Sequence, residues 1–138
     1  MKIFLTGGAG YIGSVLTREL VDAGYDVTVY DTFYFGEEAL NDVEDKVRLI
    51  KGDIRKIKME DLRGQDVVID LAAMSNDPAG ELDPKLTESV NHLGRVHVAK
   101  SYFVMQSLPT MWNIPRWFNS LNVNSELATS STRVGLLY

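Results

Sequence analysis

The stretch Thr6-Gly7-Gly8-Ala9-Gly10-Tyr11-Ile12-Gly13-Ser14 follows directly on the apolar run Met1-Lys2-Ile3-Phe4-Leu5, and it leaves the chain few ways to fold. An apolar strand enters a glycine-rich turn, and an amphipathic helix leaves it. Val15, Leu16, Leu20 and Val21 lie on one side of that helix, with Arg18, Glu19 and Asp22 on the other. In this strand–turn–helix setting the glycines have separate tasks. Gly7 takes the tight turn, Gly10 lets a pyrophosphate approach the backbone, and Gly13 lets helix and strand pack closely. The unpaired N–H groups at the helix N-terminus, with its partial positive charge, then face an anion. The alternative is a glycine-rich turn that holds no ligand.

The next segment, Tyr25-Asp26-Val27-Thr28-Val29-Tyr30, alternates, is rich in β-branched residues and ends at Asp31. An acidic residue about 20 positions beyond the glycines is placed to accept hydrogen bonds from a ribose. Its charge repels a 2′-phosphate, and Thr32-Phe33-Tyr34-Phe35-Gly36 supplies no Arg or Lys to offset that, so the pattern favours NAD over NADP. A plain strand-end turn residue is the other reading of Asp31.

Strand and helix signals go on alternating to about residue 100. Glu37 to Val43 predicts a short helix, Val47 to Ile50 a third strand, and Met59 to Leu62 a helical turn. Asp66 to Leu71 predicts a fourth strand, and Pro84 to about Tyr102 a longer helix. Such alternation implies an α/β fold, a doubly wound parallel sheet of Rossmann type with strand order 3-2-1-4. Its ligand crevice would lie at the carboxyl ends of strands 1 and 4. Residues 1–100 are expected to form the dinucleotide-binding domain. Residues 101–138 form a divergent segment that could supply the rest of the sheet. The divergence is visible in the charges: the first 100 residues hold 30 of the 33 charged side chains, and the rest hold Arg116, Glu126 and Arg133.

Composition narrows the function. A net charge of −5 gives no basic stripe for nucleic acid or an anionic membrane, and no apolar run approaches spanning length. The absence of cysteine excludes disulfides, thiolate catalysis and Cys-ligated zinc. His92 and His97 lack a second ligand at metal spacing, so no metal site is expected. The start of the chain has no cationic-then-apolar layout, which predicts a cytoplasmic protein. Phe33, Tyr34 and Phe35 either border an adenosine pocket or pack as an aromatic loop.

The glycine turn resembles that of the extended short-chain dehydrogenase/reductases, specifically the nucleotide-sugar epimerases and dehydratases of the UDP-glucose 4-epimerase type. Asp31, Gly52-Asp53-Ile54-Arg55, Asp70-Leu71-Ala72-Ala73, Asp83-Pro84 and Asn91-His92-Leu93-Gly94 extend the likeness over about the first 95 residues. The resemblance implies bound NAD that transiently oxidises a sugar hydroxyl, with a nucleotide-sugar as partner and a homodimer as one possible assembly. It implies backbone N–H groups of Tyr11 and Ile12 on the pyrophosphate, and Asp31 with Thr32 at the ribose. Asp53 would accept from the adenine amino group with Ile54 against the ring, and Leu71, Ala72 and Ala73 would line the path to the nicotinamide. Loop capping by Asp53 and ordinary packing of residues 71–73 are the alternatives.

The sequence also departs from that pattern. Asp70 stands where the family often has His, and Arg95 where Thr is usual. The family's chemistry needs a Tyr with a Lys four residues on, and no Tyr here has one. Ala128 to Val134 resembles the strand that carries the catalytic Ser or Thr, which makes Thr132 the candidate. Ile114 to Ser120 is an alternative alignment, and an ordinary polar segment a third reading. The 138-residue chain is therefore expected to lack turnover alone. A non-catalytic dinucleotide-binding fragment or sensor stands as the rival function, one version being a reading truncated or frame-shifted near residue 97.

Overall fold

The computed structural model describes residues 1–74, 83–107 and 134–136. Among the described residues five parallel strands form one sheet in the order β3-β2-β1-β4-β5. They are β1 (Lys2–Thr6), β2 (Asp26–Asp31), β3 (Val47–Lys51), β4 (Val67–Asp70) and β5 (Val134–Leu136). The predicted order of the first four is the observed one, and β5 pairs with β4. At the centre, Ile3 pairs with Val27 on one side and with Val67 on the other. Ile3, Phe4, Leu5 and Thr6 are all 2% exposed or less. A central strand covered on both faces has to be apolar without alternation.

Each face has its own cover. Helix α1 (Tyr11–Asp22) packs Leu20 and Val21 onto a cluster of Val27, Val29, Phe33, Leu40 and Val43. On the opposite face α3 (Arg95–Ser107) sends Val98 and Tyr102 into a cluster with Phe4, Tyr30, Ile54, Leu62 and Val68. The Tyr102 hydroxyl donates to Asp66 O at 2.7 Å and fastens the helix to the entrance of β4. The predicted single helix from Pro84 is interrupted. A short α2 (Pro84–Glu88), N-capped by the Asp83 carboxylate on the Leu86 N–H, runs into a π-turn at Ser89–Gly94 and then into α3. The predicted short helix over 37–43 is instead a pair of 3-10 turns, Glu38–Leu40 and Glu44–Lys46. Arg18 replaces regular helical bonding there: it donates to the Asp42 carboxylate and to Ala39 O, tying this loop to α1.

Candidate functional site: the crevice at the carboxyl ends of the strands

The glycine turn is wedged on three sides. Gly7 sits at φ +69°, and a Cβ on it would come within 2.7 Å of Ala72 N and Leu71 C at the exit of β4. A Cβ on Gly8 would meet Val29 of β2 at 2.7 Å, and one on Gly13 would overlap the carbonyl oxygen of Gly7. Thr17, fully buried, donates to Gly13 O at 2.8 Å and so ties the second turn of α1 to its first. Gly10 differs from these. A Cβ there would meet only Gly7 O, at 3.2 Å, so its outer side is open. No side chain caps the N-terminus of α1, and its first turn holds no acid. Four backbone N–H groups without intrahelical partners therefore begin where the backbone is bare.

Asp31 closes β2 beside this turn. Its Oδ2 accepts from Ala9 N–H and its Oδ1 from Phe33 N–H, both at 2.9 Å. The second bond helps hold Phe33 at φ +53°, a left-handed conformation uncommon outside glycine, while its ring is buried against the α1-side core. Tyr34 and Phe35 follow, 84% and 95% exposed. Thr32 is half-buried next to Asp31.

After β3, the side chain of Asp53 caps the 3-10 turn Ile54–Lys56 by accepting from Arg55 N–H at 2.9 Å. The Arg55 guanidinium closes on the same carboxylate and holds it below the usual carboxylate range. Arg55 also donates to Ser89 Oγ at 3.0 Å, linking this loop to the π-turn. Ile54 is buried, and a Cβ on Gly94 would strike it at 2.8 Å, so the π-turn lies directly over Ile54.

At the exit of β4, Leu71, Ala72, Ala73 and Met74 are all half-buried. Asn91, carried on the π-turn, brackets Met74: its Oδ1 accepts from Met74 N–H at 2.8 Å and its Nδ2 donates to Met74 O at 3.0 Å. Asp70 is buried beneath this exit, and Thr6 Oγ1 donates to its Oδ1. Burial pushes the Asp70 carboxyl up, against the Thr6 hydrogen bond and the Arg95 charge.

The structure thus gathers Gly7, Gly10, Tyr11, Ile12, Gly13, Asp31, Thr32, Asp53, Ile54, Leu71, Ala72 and Ala73 around the carboxyl ends of β1 to β4. Thr132, with the alternative segment 114–120, lies outside the described residues. Sequence reasoning gave no role to Asn91, Thr17, Arg55 or the Thr6–Asp70 pair. A signal did exist for the last. A carboxylate that ends an apolar strand, directly opposite the Thr that ends its neighbour, is poorly placed for solvent. Among the described residues no group of three or more His, Cys, Asp or Glu could hold a metal, and no helix is long and apolar enough to cross a membrane.

Residues 3–108 match the profile of the NAD dependent epimerase/dehydratase family. A UDP-glucose 4-epimerase from Lactobacillus helveticus is 33% identical over 127 residues, covering 84% of this chain and 38% of that protein. Two solved structures are similar in fold. The Thermus thermophilus UDP-glucose 4-epimerase in complex with NAD is 28% identical with a TM-score of 0.66, over 77% of this chain and 35% of that one. DesIV, a dTDP-glucose 4,6-dehydratase from Streptomyces venezuelae with NAD and TYD bound, is 26% identical with a TM-score of 0.72, over 77% and 37%. The chain spans less than two fifths of the length of each of these relatives.

Proposed function

The chain belongs to the NAD dependent epimerase/dehydratase family, and we propose that it forms the NAD-binding part of an enzyme acting on a nucleotide-sugar. The observation that carries this reading is the bond between Ala9 N–H and the Asp31 carboxylate, because it sets a fixed anion beside an uncapped helix N-terminus. A dinucleotide needs that pairing of opposite fields: donors for its pyrophosphate and an acceptor for its ribose hydroxyls.

The residues present fit the cofactor. The open side of Gly10 gives the pyrophosphate room, and the N–H groups of Tyr11 and Ile12 would hold it. Asp31 would take the ribose hydroxyls with Thr32 alongside, Asp53 the adenine amino group, and Ile54 the ring. With its carboxylate shared between Arg55 and its own turn, Asp53 would accept through a lone pair left free. Leu71, Ala72 and Ala73 would line the approach to the nicotinamide. When bound, NAD supplies a hydride acceptor for a sugar hydroxyl. Thr132 is the hydroxyl proposed to polarise the carbonyl so formed.

The matches to epimerases and dehydratases favour this reading over a non-catalytic sensor. A nucleotide-sugar substrate is proposed on the same ground, since the solved neighbours include a Thermotoga maritima epimerase with UDP-glucose. Residues 1–100 as the cofactor unit, 101–138 as the remainder of the sheet, a homodimer and a cytoplasmic location complete the proposal. Calorimetric titration of the chain with NAD is the test. Saturable binding is expected, and no binding at millimolar NAD would overturn it.

A further inference from the structure

Three buried side-chain atoms among the described residues have no hydrogen-bond partner: Gln65 Oε1, Asp70 Oδ2 and Arg95 Nε. Two of them belong to groups of opposite charge. Asp70 closes β4 and is 2% exposed, while Arg95 opens α3, the helix packed on that face of the sheet. They do not form a direct ion pair, the pairs among the described residues being Arg18–Asp42 and Asp53–Arg55. Arg95 is nonetheless within electrostatic reach and favours the charged form of the carboxyl.

The other oxygen of Asp70 faces the crevice machinery. Thr6 Oγ1 donates to Oδ1, and the Ala72 N–H leans on Oδ1 at 3.3 Å and on Thr6 Oγ1 at 3.4 Å. Ala72 N in turn lies 2.7 Å from where a Cβ on Gly7 would be, so the exit of β4 and the glycine turn are in contact without slack. A carboxylate buried here with no cation would cost more than the Thr6 bond and the long Ala72 bond return, both of them on Oδ1. A guanidinium within electrostatic reach, joined to the carboxylate through one bridging water, would offset that cost and give both orphaned atoms a partner.

We propose that Arg95 is the counter-charge of Asp70, and that this pair, Asp70 buried and Arg95 half-buried, is a positioning device holding Leu71–Ala72 against the glycine turn. In this role Asp70 and Arg95 touch no reacting atom. They set where the wall of the crevice stands, and the part of the inference that concerns NAD rests on the proposed function above.

The test uses the 138-residue chain and four versions of it: the parent, Asp70→Asn, Arg95→Met and the double variant. Amide resonances of Ala72 and Gly7 should titrate together with the Asp70 carboxyl in the parent and cease to do so in Asp70→Asn. Among the described residues Arg95 is the charged side chain that acts on Asp70, and Thr6, facing it from β1, does not titrate. Arg95→Met should therefore move the midpoint upward, because the cation that favours the carboxylate is gone. Each single variant should weaken NAD binding by about tenfold or more, and the double variant should recover most of that loss. Urea unfolding of the same four proteins covers poor folding of a single variant, since the double is expected to be the more stable. An unchanged midpoint in Arg95→Met overturns the pairing, as do additive losses in the cycle. Coupling in unfolding without coupling in NAD affinity overturns the positioning role. A parent that binds no NAD overturns the proposed function instead, while the titration and the urea cycle still decide the pair.

Discussion

The Ala9 N–H donates to Oδ2 of Asp31 across 22 residues of sequence, at 2.9 Å. One carboxylate therefore ties the glycine turn to the end of β2 and still offers lone pairs towards the crevice. Asp31→Ala removes both functions. NAD should bind more tightly than NADP to the parent, because the extra phosphate meets like charge, and the variant should narrow that gap. The loss of NAD affinity is expected to be about tenfold or more, as for hydrogen bonds to a charged group. Calorimetry with each cofactor checks it, and equal affinities in the parent would remove the ribose role from Asp31.

Gly10 and Gly13 should respond to substitution in opposite ways. A Cβ on Gly10 meets one atom at 3.2 Å, so Gly10→Val should fold and lose NAD binding, its branches standing where the pyrophosphate would approach. Gly13→Ala places its methyl on the Gly7 carbonyl and should lower stability by about 1–3 kcal/mol, the usual cost of overpacking. Circular dichroism with urea titration separates the two. A Gly10→Val protein that binds like the parent would mean the phosphates are held elsewhere.

The Asp53–Arg55 pair makes a prediction in pH. Arg55 lowers the Asp53 pKa, so the pair's contribution is present above the unfolded carboxylate value, about 3.9, and is lost as pH falls through the lower folded value. Both side chains are partly exposed, 34% for Arg55 and 23% for Asp53, which keeps the effect small. Arg55→Gln should cost about 1 kcal/mol or less at neutral pH and almost nothing near pH 2. Urea midpoints at the two pH values measure the difference, and a cost that grows on acidification would contradict the assignment.

The 138-residue chain alone should not turn over nucleotide-sugars. No Tyr in it is followed four residues later by Lys, and general acid–base groups contribute about 10²–10⁴ in rate. Incubation with UDP- and dTDP-sugars, followed for isomer, 4-keto product and NADH absorbance, is the assay. Robust turnover would mean a different catalytic base, with Tyr138 and Lys100 the first to re-examine.

What the sequence makes legible is whatever repeats or punctuates. The four strands, their order and the glycine turn follow from apolar runs and spacing, because the strands are short and bounded by polar loops, β1 and β2 being buried and β3 and β4 partly so. The π-turn leaves no such trace. Leu86, Val90 and Leu93 keep a helical spacing straight through it, so the one-residue slip that aims Asn91 at Met74 is invisible without tertiary contacts. The same holds for Phe33: a left-handed aromatic is paid for by its burial and by Asp31, neither of which is a local property. Asp53 stands between these cases. Its place at a strand end was readable, but the grip of Arg55, two residues on, required side-chain geometry.

The missing side chain at Gly13 has a mechanical consequence. With the first turn of α1 seated directly on the Gly7 carbonyl, and Thr17 bolting Gly13 O from below, this seam has no room to tilt or slide. Strand, turn and helix are interlocked there, so a dinucleotide held at this turn would rest on a floor that offers no slack to adjust to it.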